Sequence, residues 1–390
     1  MRKEFGLSDT QLGALTTTFT LLYAVIGVPL ARIADRSSRK KLMAAGLTAW
    51  SALTATAAIV TGYGLLLVSR LGVAVGEAAY APAATSWIGD LFPPEKRCRA
   101  MSLFTLGVPI GVALSFLLSG PMAQAFGWRA ATALAAVPAL LLIPALLTLT
   151  EPVRGAADRD VKLGSAWSIL RIPTLWWIIA SGAIQNFSAY AFAVFLASFL
   201  VRVHGFSIGS TGVAAGLLYG TGGLLGGFLA GRVGDWIILK RGDGRMLAAA
   251  IVALISAPIA YFAILTPLRV AAIPLLGLVS CCLTMYYGLV YSSIHDVIPP
   301  ALRSTALAFY MMMMYLCGAS FGPIITGALS DRMARRAAVA AGSPVVTEVF
   351  KAIGLRQAML VIPAFSIALA LVLYAGSRTI RKDMSNLRAF

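Results

Sequence analysis

The sequence has few charged residues, few cysteines and few histidines. Only 12% of its 390 residues are charged and 59% are hydrophobic, whereas a soluble domain carries about 25% charged residues. Such a chain cannot cover its own surface with polar groups, which excludes a soluble enzyme with one added anchor. The four scattered cysteines and two histidines argue against a disulfide framework or a zinc site. We therefore expect no metal and no cofactor.

Long apolar stretches dominate the chain, and a spanning helix needs roughly 20 such residues. Eleven stretches qualify, at residues 12–34, 42–63, 65–88, 100–124, 130–149, 173–200, 211–238, 246–266, 269–294, 303–328 and 356–376. The basic residues lie in short clusters between them and do not line one face, so the net charge of +17 does not indicate nucleic-acid binding. The pattern predicts an all-α polytopic membrane protein.

The basic residues divide unevenly between the two sides of these spans. Twenty-one lie on the side that holds the C-terminal tail, 10 lie opposite, and Arg70 lies within a span. The positive-inside rule makes the first side cytoplasmic, which fits a bacterial inner membrane. Five of the 10 opposite charges fall within residues 330–356, and the rule does not account for them.

An internal repeat of about 200 residues divides the chain. The matched positions are Gly6 and Gly205, Gly13 and Gly212, Gly27 and Gly227, Arg32 and Arg232, and Asp35 and Asp235. Two copies of one helical unit are typical of transporters built from parallel repeats. We predict an N-terminal half at 1–150, a linker at 151–172 and a C-terminal half at 173–390. The second half has a span before Gly205 that the first half lacks before Gly6, so we expect that the first helix is missing and that the N-terminal half has five spans.

Arg70 and Glu77 are charged residues inside one predicted span. Burying a charge at that depth costs ~2.5–3.5 kcal/mol, and intramembrane charges are functional by default. Seven residues make almost two helical turns, so both side chains project from one face about 10 Å apart. A water or a substrate group between them is easier to place than a direct bond. The alternative is a polar pair that only fixes helix packing.

A second charged cluster follows the first span. Asp35 is followed by Arg36 and Arg39, and the repeat places Asp235 and Arg232 at the equivalent point. An acid there can cap a facing helix, and the basic side chains can pair across a gap. We therefore predict a cytoplasmic gate, the alternative being basic residues that merely follow the positive-inside rule.

Four polar or polarisable side chains inside the predicted spans are candidates for lining a cavity. They are Asn186, Tyr190, Tyr286 and Met311. Asn186 and Tyr190 are one turn apart on one helix face, although tyrosine and methionine at this depth are also ordinary packing residues.

Local motifs carry a resemblance to a known family. The loop Ala31-Arg-Ile-Ala-Asp-Arg-Ser-Ser-Arg-Lys40 resembles the cytoplasmic signature of the major facilitator superfamily, with Ala31 and Ser38 in place of glycines. The segments Arg70-Leu-Gly-Val-Ala-Val-Gly-Glu-Ala78 and Asp90-Leu-Phe-Pro-Pro94 are similar to the Spinster family within it. The resemblance implies two six-helix halves and the export of lysophospholipid or sphingoid-phosphate amphiphiles, often coupled to protons. It also implies an acid and an arginine on the helix that is missing here.

The residues themselves favour an amphiphilic cargo. Arg70 and Glu77 match Leu276 and Leu283 in the second half, so a cavity between the halves would have one charged wall and one apolar wall. Arg70 can pair an anionic head, and the apolar wall can take a tail at roughly 0.8 kcal/mol per CH₂. We therefore expect a proton-coupled transporter of an anionic lysolipid or sphingoid-type substrate, working as a monomer with protons and membrane lipid as partners and no nucleic acid. The alternatives are a drug/proton antiporter for hydrophobic cations and a transporter-like receptor. A membrane enzyme would need paired carboxylates, a metal cluster or a nucleophile with a base, and the sequence offers no clear candidate for any of these.

Overall fold

The computed structural model describes residues 1–92, 100, 103–104, 107–152, 166–299 and 302–388. These residues contain helices and connecting turns and no strand. The side chains of Arg32, Asp35 and Arg36 lie outside the description, as does most of the predicted linker. An all-α fold was predicted from the apolar stretches, and the described residues confirm it.

The helices of the first half begin within a few residues of Met1. They are α1 (Arg2–Phe5), α2 (Asp9–Arg36), α3 (Arg39–Thr56), α4 (Tyr63–Ala78), α5 (Tyr80–Leu91) and α6 (Gly107–Thr148). The α6 segment is broken at Gly127, whose φ of 83° and ψ of 163° are not helical. This break lies between the predicted spans 100–124 and 130–149.

The helices of the second half follow a 3₁₀ turn at Ala166–Arg171. They are α7 (Pro173–His204), α8 (Ile208–Ile238), α9 (Gly244–Leu265), α10 (Arg269–Val297), α11 (Arg303–Met314), α12 (Phe321–Ala340), α13 (Glu348–Met359) and α14 (Val361–Arg388). A five-residue π turn, Tyr315–Ala319, joins α11 to α12. Such turns inside helices are frequent at functional sites.

Eight helical segments of the described chain are long and apolar enough to cross a membrane. One of them, Ile110–Thr148, contains the break at Gly127. The helices α2 and α3 are not among the eight. The predicted number of eleven spans stays a prediction.

The repeat is visible in local backbone geometry. Gly6 ends α1 with φ of 61° and Gly205 ends α7 with φ of 66°, and both occupy the left-handed C-cap that glycine favours. The next long helix begins three residues later in both places, at Asp9 and at Ile208.

The described helices form two compact units. The first contains α1, α2 from Ala14 onward, α3 to α6 and the start of α8 up to Gly216. The second contains the first turn of α2 (Asp9–Gly13), α7, α8 from Leu217, and α9 to α14. The core of the second unit is built from buried side chains of α7, α9, α10, α11 and α14, such as Met246, Tyr310 and Leu373.

Candidate functional site

Arg70 and Glu77 both lie on α4, which packs tightly on α3. A Cβ on Gly76 would lie 3.0 Å from the backbone nitrogen of Trp50, so the two backbones nearly touch. Since Gly76 faces α3, the side chain of Glu77 is turned about 100° away from that contact. Glu77 is exposed and Arg70 is half-buried.

The helix α4 ends one residue after Glu77, at Ala78, and α5 begins at Tyr80. The cause is Pro82, which has no N–H for the carbonyl of Ala78 and whose ring would clash with it. Glu77 therefore lies at the end of a helix segment in the middle of a 26-residue apolar span, Tyr63–Ile88.

Neither charge is neutralised by another described residue. No hydrogen bond or ion pair within 4 Å joins Arg70 to Glu77 or either of them to a further side chain of the described chain. The prediction that the two would not bond directly agrees with this geometry. Because unpaired charge inside a span is costly, this face of α4 is the strongest candidate for a binding site.

The second unit holds a cluster of buried hydroxyl groups around α7 and α10. The Tyr286 hydroxyl lies 2.7 Å from Ser181 Oγ and 3.1 Å from the Tyr310 hydroxyl. Tyr287 donates a hydrogen bond of 3.1 Å to Asn186 Oδ1, and Asn186 Nδ2 donates to the Gly182 carbonyl at 2.9 Å. The buried polar groups thus satisfy one another.

The structure divides the residues predicted to line a cavity. Asn186 and Tyr286 are buried within the hydroxyl cluster and present little surface to a ligand. Tyr190 and Met311 are half-buried, and the ring of Tyr190 packs edge-on against Tyr315 at 6.0 Å, where the π turn begins. A role in ligand binding stays a prediction for all four residues. Asn186 and Tyr286 would act by positioning neighbouring side chains and not by contacting the ligand.

Of the basic residues of the predicted gate whose side chains are described, Arg39 forms the most hydrogen bonds. Its side chain, 1% exposed, donates to Ser86, to Asp90 and to Glu151. The Ser38 hydroxyl also donates to Glu151, at 2.6 Å. Burial raises the pKa of Glu151, but the hydrogen bonds from Ser38 and from the backbone and side chain of Arg39 outweigh it and bring the pKa down to about 2.

The second unit contains an equivalent pair. Arg245, in the first turn of α9, donates to both carboxylate oxygens of Asp296 at 2.7 and 2.9 Å. Arg39 and Asp90 are 51 residues apart in the chain, and so are Arg245 and Asp296. Asp235, predicted for the gate, lies 3.6 Å from Arg245 and is largely exposed. Arg232 stacks over the ring of Phe228 at 5.9 Å, while the side chains of Asp35 and Arg36 lie outside the description.

One buried polar cluster was not predicted from the sequence. Asp9, the first residue of α2, is 1% exposed and accepts hydrogen bonds from Arg202 at 2.8 Å and Ser330 at 2.7 Å. Asp331 accepts from the backbone N–H groups of Asp9 and Thr10, at 3.1 and 2.8 Å, and thereby caps α2 from another helix. Asp9 precedes the first predicted span, so periodicity gave no sign of its burial.

Comparisons with known proteins agree with this architecture. The sequence model of the Major Facilitator Superfamily matches residues 1–323. An MFS-type efflux pump of Mycolicibacterium smegmatis is 31% identical, over 85% of this chain and 79% of that protein. Human protein spinster homolog 1 is 29% identical, over 85% of this chain and 68% of that protein. The crystal structure of a bacterial homologue of the human lysosomal transporter Spinster, inward-facing and unoccupied, superimposes with a TM-score of 0.88 at 26% identity, covering 98% of this chain and 92% of that one. The chain is an integral membrane protein of the major facilitator superfamily and belongs to its Spinster family.

Proposed function

We propose that the protein is a proton-coupled secondary transporter that works by alternating access and moves an anionic lysolipid or sphingoid-type amphiphile. The proposal rests on two charged side chains, Arg70 and Glu77, which lie on one face of α4 inside an apolar span and have no ion pair or hydrogen bond with any described residue. A group that must bind and release a ligand has to be unsatisfied by the protein itself. Arg39 and Arg245, whose guanidinium groups are each bonded to an aspartate of the same unit, do not meet that condition.

The charges of the two residues supply a simple coupling rule. When Arg70 binds an anionic head, the nearby carboxylate of Glu77 is repelled by the added negative charge, and taking up a proton relieves the repulsion. Release of the proton from Glu77 would weaken the binding of the head in turn. Substrate anion and proton would therefore bind together and leave together.

The predicted cytoplasmic gate around Arg39 is also part of the proposal. Arg39 holds the start of α3 to Asp90 and Glu151, so it would fix the short turn that joins α3 to the end of α2, where Asp35 and Arg36 lie. Asp235 and Arg232 mark the equivalent place in the second half. In this proposal the exposed members of the set, not the buried Arg39, make and break contacts during transport.

A drug/proton antiporter for hydrophobic cations is the second candidate. It is favoured by the 31% identity to a protein named as an MFS-type efflux pump. In that case Glu77 would be the anchor, and a cation would displace its proton. The two candidates differ in the residue that holds the cargo, which makes them separable by single substitutions.

The test is uptake into proteoliposomes of a homologous series of anionic lysolipids by the wild type, Glu77→Gln, Arg70→Ala and, as a matched control, Glu4→Gln. Glu4 is an exposed acid outside the spans. We expect Glu77→Gln to remove the dependence on the proton gradient and Arg70→Ala to abolish binding. Affinity should rise about fourfold per CH₂, from roughly 0.8 kcal/mol each.

Three results would count against the proposal. Uptake by Glu77→Gln that still follows the proton gradient would place the proton site elsewhere. Binding that ignores Arg70→Ala or the chain length would favour the cationic drug. Binding without counterflow would indicate a receptor.

A further inference from the structure

The helix α12 continues well past the predicted end of its span. With most of α11 and the π turn it forms a continuous helical segment of 35 residues, Ala306–Ala340. At 1.5 Å per residue this is about 52 Å long, whereas the hydrocarbon core of a bilayer is about 30 Å thick. The predicted span ended at residue 328, so the last three turns of α12 are an addition that the structure reveals.

The membrane boundary on this helix can be placed from its neighbours in the second unit. Ser330 bonds the side chain of Asp9, and Asp331 caps the start of α2. The first predicted span begins at residue 12, in the first turn of α2, so we infer that Ser330 and Asp331 lie at the level where the hydrocarbon core begins. Arg332 is next along the chain, and Arg336 is one turn or about 6 Å further out. The headgroup layer on each side of the core is about 5–7 Å thick.

From this placement we infer that three arginines on one face of α12 lie at headgroup depth. Arg332, Arg335 and Arg336 are exposed and have the spacing i, i+3 and i+4 that brings side chains together. Within the described chain none of them has a hydrogen bond or ion pair.

Other basic residues at this end of the unit have partners. Arg202 pairs with Asp9, Lys351 with Glu348, and Arg356 donates to the carbonyl of Ile264. Arg269, at the start of α10, stacks over the ring of Phe206 at 5.9 Å. Within the described residues, the three arginines of α12 differ from these four in having no such contact.

The same face becomes apolar in the direction of the membrane core. Ala328 is exposed directly below the arginines, and Ile325 and Phe321 follow at one-turn spacing, with 47% and 44% of their surface exposed. One exposed face thus changes from three positive charges to apolar side chains over about 16 Å, the rise from Phe321 to Arg332. We call these six residues the arginine face.

We propose that the arginine face binds an anionic phospholipid of the surrounding bilayer. Guanidinium groups form two parallel hydrogen bonds with phosphate oxygens, and the acyl chains would lie along Ile325 and Phe321. An anionic lipid supplies the negative charge that the described residues do not provide there. It also accounts for a basic cluster on the side where the positive-inside rule predicts few basic residues. The site is separate from Arg70 and Glu77 and does not depend on the nature of the cargo.

The experiment measures lipid retention by the whole protein in detergent, using native mass spectrometry. The lipids are phosphatidylglycerol and phosphatidylcholine with identical chains, and glycerol phosphate serves as the headgroup without chains. The variants are R332Q/R335Q/R336Q and a control, K41Q/K240Q/K382Q, which removes the same charge from exposed lysines elsewhere. R335Q alone serves if the triple variant does not fold.

We expect the wild type to prefer phosphatidylglycerol and the triple variant to lose the preference while the control keeps it. At ~1 kcal/mol per basic residue, one arginine corresponds to about fivefold in affinity and three to on the order of a hundredfold. Added salt should weaken the preference. Equal retention of both lipids by the wild type, or an unchanged preference in the triple variant, would overturn the proposal. Equally strong competition by glycerol phosphate would identify a free phosphate anion as the ligand and reject the lipid. Arg70→Ala should leave the preference unchanged, which separates this site from the transport site.

Discussion

Replacing Glu151 by glutamine should measure how much the Arg39 cluster stabilises the first unit. Glutamine keeps the shape but loses the charge and one of the two oxygens that accept hydrogen bonds from Ser38 and Arg39. The hydrogen bonds lower the pKa of Glu151 from 4.5 to about 2, which corresponds to at most roughly 3–4 kcal/mol. Because the side chain is still 21% exposed, solvent screens part of this. Asp90 also continues to pair with Arg39, so we expect a loss of about 2 kcal/mol.

The pH dependence gives the same prediction a second, independent readout. An acid with a lowered pKa stabilises the fold above its unfolded value, near 4.5, and this contribution disappears as the pH falls towards 2. The difference between wild type and Glu151→Gln should therefore be full at pH 6 and smaller at pH 3. Unfolding in sodium dodecyl sulfate, followed by tryptophan fluorescence, measures both. Glu4→Gln is the control, since this acid is exposed and pairs with an exposed Arg129. A variant as stable as the wild type at pH 6, or a difference that does not shrink with acid, would refute the assignment of Glu151 to this cluster.

Three further predictions concern other parts of the fold. Gly318→Ala should destabilise the protein by roughly 1–3 kcal/mol, because the added Cβ would collide with the backbone of Ala183; Gly227→Ala, where the space is open, should have no such effect in the same unfolding assay. Asp331→Ala should cost about 1–2 kcal/mol through the lost cap of α2, whereas Asp331→Asn keeps one acceptor and should cost less. A cysteine placed after Arg378 in a cysteine-free background should be inaccessible to an impermeant maleimide in intact cells, and labelling from outside would reverse the predicted topology.

The fold class and the family could be predicted from the sequence because both depend on local signals. Apolar stretches near 20 residues identify spanning helices regardless of their partners. The spacing of Arg70 and Glu77 on one helix also fixed their common face without tertiary information. Matched glycines revealed the repeat, and for Gly6 and Gly205 the structure adds the physical reason, namely the left-handed cap that both form.

The polar clusters could not be predicted because their members are distant in the chain. Glu151 contacts Arg39 across 112 residues, and Asp9 contacts Arg202 across 193. No periodicity links such positions. The burial of Asn186 in a hydroxyl cluster also depends on Tyr287 from another helix, so its predicted access to a ligand could not be judged from its own helix.

The predicted end of the span at residue 328 illustrates a third limit. Hydropathy falls where Arg332, Arg335 and Arg336 begin, so a membrane criterion ends the span there. Alanine and arginine are strong helix formers, however, and the backbone continues as a helix to Ala340. The end of a hydrophobic span and the end of a helix are separate properties.

The two ion pairs Arg39–Asp90 and Arg245–Asp296 each begin and end within one copy of the repeat. When a unit is duplicated, an ion pair with both partners inside that unit is copied whole. Neither residue of the pair then depends on a change in the other half. Glu151, which joins Arg39, lies in the predicted linker and so outside the repeated unit. The ion pair itself is a property of the repeated unit, whereas the bond to Glu151 depends on a residue that the repeat does not contain.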